Sequence, residues 1–189
     1  MKKKIPNILT ITRLIMCVAL MITMQIAMKR FDLLDMMLKI SLGIFVVASL
    51  TDWVDGFLAR RWDAITNFGK IMDPLADKIL VMTAFVGFAA MQVIPWWLVV
   101  IVLAREFLVT SLRIVAVSEG IVVPANMWGK LKTVSHMVAI IAVFIGIIYF
   151  RIPKVDLVVN ILVALALVMT VFSGYEYCYS YIKHGGEKD

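Results

Sequence analysis

Four aspartates at helical spacing are the residues of this sequence best suited to chemistry. Asp52 and Asp55 stand three apart near the end of one apolar run, and Asp73 and Asp77 stand four apart at the start of the next. Residues three or four apart share one face of an α-helix. Pro74 suits a first helical position, with Asp73 as the N-cap. One helix ending and the next beginning at the same membrane surface brings all four carboxylates to one depth. An ionised side chain costs about 2.5–3.5 kcal/mol at the centre of a spanning helix, and four together also repel one another. Divalent cations relieve that repulsion. Oxygen-only donors suit Mg²⁺ or Mn²⁺ rather than zinc, and no Cys or His close by points the other way. A pair of such ions forms the clamp that stabilises entering and leaving oxygens in phosphoryl transfer. Gly56 and Gly69 leave room for a phosphate-bearing ligand beside the backbone, and Arg60 offers a fork for a phosphate oxygen. The competing reading is a salt-bridge network with Arg60, Arg61, Lys70 and Lys78; four acids and two glycines in register favour metal binding.

The elements that must hold these residues are membrane helices. Of 189 residues, 62% are hydrophobic and 17% charged, and the mean hydropathy is +0.96. Soluble chains run near 45–50% apolar and about 25% charged, so no water-soluble surface can be built from this composition. Apolar runs over 8–28, 37–60, 73–94, 96–117, 129–150 and 155–182 predict an all-α polytopic protein of six transmembrane helices, forming one domain over residues 1–189. Lys2, Lys3 and Lys4 before the first run resemble the start of a signal peptide. The run is too long for that and lacks a small-x-small cleavage site, so an uncleaved helix is expected. Pro95 with Trp96 and Trp97 marks a tight interfacial turn, and the stretch from Pro124 to Trp128 marks another break.

Basic residues set the orientation. With the N-terminus inside, the inner ends hold Lys2, Lys3, Lys4, Arg60, Arg61, Lys70, Lys130, Lys132, Lys183 and Lys188, against Lys29, Arg30, Lys39, Arg151 and Lys154 outside. Both termini are therefore expected in the cytoplasm, with the acids on that side of a cell (inner) membrane. The longest inner connection is expected at 61–72, beside the acids. The net charge of +6 then reports orientation and phosphate handling, not a nucleic-acid partner. Cys17 and Cys178 lie in apolar runs without metal-type spacing and read as reduced packing residues. Met21, Met24, Met28, Met36 and Met37 read as packing or lipid-facing surface, and Glu176 with its flanking tyrosines as part of the inner interfacial belt.

Taken in order, Asp52, Asp55, Gly56, Ala59 and Arg60, then eight residues, then Gly69, Asp73 and Asp77, match all eight fixed positions of a known signature. In these residues the chain resembles the CDP-alcohol phosphatidyltransferase family. The resemblance implies a six-helix membrane enzyme, usually a homodimer, with its active site at the cytosolic face. It implies that Asp52, Asp55, Asp73 and Asp77 hold two divalent cations, and that Asp77 is also the base for the acceptor hydroxyl. Gly56, Arg60 and Gly69 would line the site of the CDP-diacylglycerol headgroup.

The acceptor must be read elsewhere. Asn7, Thr10 and Arg13 stand at helical spacing; as ordinary structure, Asn7 is an N-cap and Arg13 snorkels to the interface. The run 6–13 is nonetheless similar to the start of phosphatidylglycerophosphate synthases within the family, where it borders the nucleotide pocket. Arg105 and Arg113, eight apart, project from one side of the fourth helix, and Lys130 and Lys132 begin the fifth. Together these four cations suit the phosphate of a phosphorylated acceptor; free serine or choline would not call for them. Glu106 would neutralise one of these arginines or pair with Lys78. The run 128–133 and the Arg105–Glu106 pair again resemble the same synthases, whose acceptor is glycerol 3-phosphate. One departure is His136, where that group commonly has Gln; a lone His in an apolar helix reads as a hydrogen-bonded packing residue.

The expected activity is transfer of the phosphatidyl group from CDP-diacylglycerol to glycerol 3-phosphate within the lipid bilayer, releasing CMP. The nearest rival is a transferase of the same family acting on inositol phosphate or a lipid alcohol. A more distant one is a divalent-cation transporter, whose acids would be spread through the membrane depth.

Overall fold

The computed structural model describes the backbone of residues 5–61, 67–120, 127–150 and 157–185, and within these the side chains of all but 5–9, 52–61, 67–71, 73–74 and 184–185. Six long helices account for nearly all of it: α1 (Ile5–Lys29), α2 (Leu34–Arg61), α3 (Asn67–Ala90), α4 (Trp96–Ser118), α5 (Met127–Phe150) and α6 (Leu157–Gly185). A single 3-10 turn, Phe31–Leu33, joins α1 to α2. No strand occurs among the described residues. The stretches Thr10–Lys29, Phe31–Thr51, Met127–Phe150 and Leu157–Lys183 are each long and apolar enough to cross a membrane. At 24 and 23 residues, α3 and α4 match them in length but carry the charged groups of interest.

Two expectations about α3 are corrected. It begins at Asn67, so Asp73 lies inside the helix instead of capping it, and the part of the expected 61–72 connection from residue 67 onward is helical. The proline signal misleads because the damage is local: Pro74 removes the N–H that would reach the carbonyl of residue 70, and its ring crowds that same carbonyl. Flanking bonds can carry a helix through such a gap where neighbouring groups compensate. The gain is geometric. Gly69, Asp73 and Asp77 now stand at successive four-residue steps along one helix. At its other end α3 stops at Ala90, although the apolar run continues to Ile94. The amide of Val93 bonds the Phe88 carbonyl at 2.9 Å and that of Gln92 bonds Ala89 at 3.0 Å. Gln92 adopts φ 58°. These bonds make a Schellman cap with glutamine at the position where glycine is favoured.

Packing places α1 against α2 and α3, α5 against α6, and α4 against α6 and α3. Lipid tails are as apolar as the side chains, so close fit and polar glue hold such a bundle. The fit centres on Phe45, Phe85, Phe88 and Phe144, all buried, with Phe88 edge-on to Phe144 at 4.7 Å. Gly87 lets Met24 of α1 lie against α3, because a β-carbon there would collide with the methionine sulfur and methyl. Between α1 and α2, the Thr23 and Ser41 hydroxyls hydrogen-bond at 2.7 Å.

The left-handed backbone of Gln92 yields a stability test. Gln92→Gly relieves a conformation that costs an L-residue roughly 1–2 kcal/mol, and a net gain of about 0.5–1 kcal/mol is expected after the entropy of glycine is counted. Thermal unfolding in detergent should show a raised midpoint; a lowered one would refute the cap.

Candidate active site

The whole acidic signature sits on two consecutive helices. Asp52, Asp55, Gly56 and Arg60 lie in the last three turns of α2, and Gly69, Asp73 and Asp77 in the first three of α3. The side chains of Asp52, Asp55, Gly56, Arg60, Gly69 and Asp73 fall outside the described ones, whereas Asp77 is described and half-buried. Among the described residues alone there is no cluster of three potential metal ligands. The donor chemistry still fits a hard divalent cation: all four groups are carboxylates, spaced three and four apart on adjoining helix ends.

Helix α1 brings a buried polar face to the same end of the bundle. Asn7 lies within the helix, which starts at Ile5, so it is not the N-cap; its side chain is outside those described. Thr10 and Arg13 are buried, and Arg13 is 0% exposed. Such an arginine is turned into the bundle instead of snorkelling outward. The charges of both Arg13 and Asp77 act on the Cys17 thiol one turn further along, which sets α1 beside the last acid of α3.

Arg105 and Lys132 meet at one carboxylate. Arg105 Nη1 donates to Glu106 Oε1 at 3.2 Å, and Lys132 Nζ donates to that same oxygen. Arg105 Nη2 donates to the Ser173 hydroxyl of α6. Lys132 is also within electrostatic reach of Asp77. The two remaining cations do not share this carboxylate. Arg113 stacks over the Tyr177 ring at 5.8 Å. Lys130 is exposed on the outer side of α5, beside Met127, Trp128, Leu131 and Val134. Lys78 does not pair directly with Glu106; it donates to the Thr110 hydroxyl, which donates to the Glu106 carbonyl at 2.6 Å. One turn below Lys132, His136 is buried, hydrogen-bonds Thr170 at 2.7 Å and packs edge-on to Phe85. That is the satisfied packing role expected of it.

Four carboxylates on adjoining helix ends, the last of them within electrostatic reach of Lys132, are equipped to handle phosphate esters, and comparison with known proteins agrees. The sequence model for CDP-alcohol phosphatidyltransferases matches residues 3–172. The chain belongs to the CDP-alcohol phosphatidyltransferase family. A CDP-diacylglycerol–glycerol-3-phosphate 3-phosphatidyltransferase of Bacillus subtilis (strain 168) is 43% identical over 137 residues, covering 71% of this chain and 69% of the relative. A probable phosphatidylglycerophosphate synthase of Mycobacterium tuberculosis is 34% identical over 172 residues, covering 90% and 78%. A Rickettsia bellii protein named like the first is 33% identical over 175 residues and covers 93% of both chains.

Several parts of the candidate site of this phosphatidyltransferase had no signal in the sequence. Ser173 and Thr110 are ordinary small polar residues in apolar helices until the fold sets them against Arg105 and Lys78. Gly174 is another. A β-carbon on it would stand 3.1 Å from Arg105 Cγ and 3.6 Å from its Nε. Gly174→Ala should therefore displace Arg105 and destabilise the protein by about 1–3 kcal/mol, as overpacking does. Gly43→Ala meets nothing within 4 Å and should be neutral or stabilising by up to about 1 kcal/mol. Equal midpoints for the two variants in detergent melts would contradict this packing.

Proposed function

We propose that this phosphatidyltransferase moves the phosphatidyl group of CDP-diacylglycerol onto glycerol 3-phosphate, forming phosphatidylglycerol phosphate and CMP. The observation that carries the reading is the largely buried pair of cations Arg105 and Lys132, with Lys132 in electrostatic reach of Asp77 in the acidic signature. A second phosphate beside the reacting centre is what that pair suits. The named activities of the relatives from Bacillus subtilis and Rickettsia bellii support the same acceptor.

In this reading Asp52, Asp55, Asp73 and Asp77 would hold two divalent cations, Mg²⁺ or Mn²⁺, which offset charge on the diphosphate. Asn7, Thr10 and Arg13 of α1, with Gly56, Arg60 and Gly69, bind the CDP-diacylglycerol headgroup. Arg105, Arg113 and Lys132 orient the acceptor phosphate, with Lys130 at the outer rim. Asp77 takes the proton from the free primary hydroxyl of glycerol 3-phosphate. That oxygen attacks the lipid-bearing phosphorus, and the bond to CMP breaks. Positioning and charge stabilisation account for such a transfer. The basic residues near the signature orient this end to the cytoplasm, with both termini on that side of the cell membrane. The working unit is a homodimer.

The deciding assay measures CMP released from CDP-diacylglycerol with each acceptor in turn. Glycerol 3-phosphate should support turnover, and EDTA should abolish it until Mg²⁺ or Mn²⁺ is restored. Turnover with inositol phosphate or a lipid alcohol instead would reassign the acceptor. No CMP with any acceptor, alongside divalent-metal uptake into vesicles, would point to transport. Asp77→Asn should lower kcat by at least about 10³-fold while CDP-diacylglycerol still binds; a fully active variant would remove the base assignment.

A further inference from the structure

We infer that Glu106 is the positioning residue for acceptor recognition, holding Arg105 and Lys132 together so that a phosphate meets two cations already assembled. This deepens the proposed reading and rests on its phosphorylated acceptor. A single oxygen, Oε1, receives both cations, and the three side chains are only 13%, 10% and 10% exposed in the order Arg105, Glu106, Lys132. One cation is the neighbour of Glu106 on α4, while the other arrives from α5. The carboxylate therefore fixes two helices at one point.

Other contacts serve the same arrangement. With Nη1 on Glu106 and Nη2 on Ser173, the Arg105 guanidinium is pinned at both ends. Its Nε has no hydrogen-bond partner among the described residues, and Gly174 leaves the space in which it lies. Thr110, one turn beyond Glu106, ties the Glu106 carbonyl to Lys78, the residue after Asp77. The turn that presents the cations is thus held in register with the helix that presents the acid. Two cations on one carboxylate leave one unit of positive charge, and the nearby Arg113 adds to it. The cluster accordingly still attracts a phosphate dianion. Long cationic side chains ordered in advance need not be ordered by the ligand, so the effect falls on acceptor affinity.

Steady-state kinetics on the full-length protein in detergent test this. Glu106→Gln keeps the shape and one acceptor oxygen but removes the charge. It should raise KM for glycerol 3-phosphate about tenfold or more, with kcat within about threefold and KM for CDP-diacylglycerol unchanged. Glu106→Asp should recover part of the affinity. Ser173→Ala, which keeps Glu106 and both cations, should raise the same KM about threefold and carries the test if Glu106→Gln does not fold. An unchanged or lower KM for glycerol 3-phosphate in the variant that folds overturns the inference. So does a fall in kcat with both KM values intact, because that reports only lost folded enzyme. Wild-type protein that turns over no phosphorylated acceptor removes the substrate reading and this inference with it. Wild-type turnover on glycerol 3-phosphate with an unaltered KM in the variants removes the inference alone.

Discussion

Charge inside an apolar bundle must be answered by opposite charge or by a ligand, and the meeting of Arg105, Glu106 and Lys132 is where this protein answers it. Each group alone would be costly at membrane depth. Together they share one carboxylate oxygen and draw α4 and α5 to a common point, while Ser173 adds α6. A buried ion pair of this kind is weak evidence for stability, since an apolar substitute of similar volume often does as well. Its presence in so apolar a chain fits the acceptor phosphate proposed for it.

The same constraint explains how the helices are arranged. The charged groups assigned to the reaction come from the first three turns of α1, α3 and α5, the last three turns of α2, and the middle and later turns of α4. At the other end α3 and α4 are joined without charge, through the Schellman cap at Gln92 and the Pro95 start of α4, while the α1–α2 turn carries an exposed Arg30–Asp32 ion pair. Between the two ends the Phe45, Phe88 and Phe144 cluster fills the interior with rings. Close packing there leaves the polar end as the place where α1, α3, α4, α5 and α6 differ in what they present.

Much of this was legible in the residues. The spacing of Asp52, Asp55, Asp73 and Asp77 depends only on helix periodicity, so it survives an error in helix boundaries. It survived one here, because α3 starts at Asn67, six residues before the expected start at Asp73. The apolar runs were equally readable, since spanning length and composition are local properties. Arg13 and Glu106 were less so. Nothing local distinguishes an arginine that snorkels from one that is 0% exposed, or says whether a glutamate pairs with Lys78 or with Lys132. Those outcomes depend on which helix stands opposite.

By itself the sequence determined that this is a helical membrane protein, that its acids share helix faces, and which family signature they spell. The first two follow from hydropathy and from a periodicity of 3.6 residues per turn; the third is a resemblance carried by the residues themselves. Only the tertiary structure decided that Lys132 turns inward while Lys130, two residues away, turns outward, and that Ser173 and Gly174 of α6 frame Arg105. Two residues along a helix rotate a side chain by about 200°. Which of those directions meets a partner is set by the packing of other helices, far away in the chain.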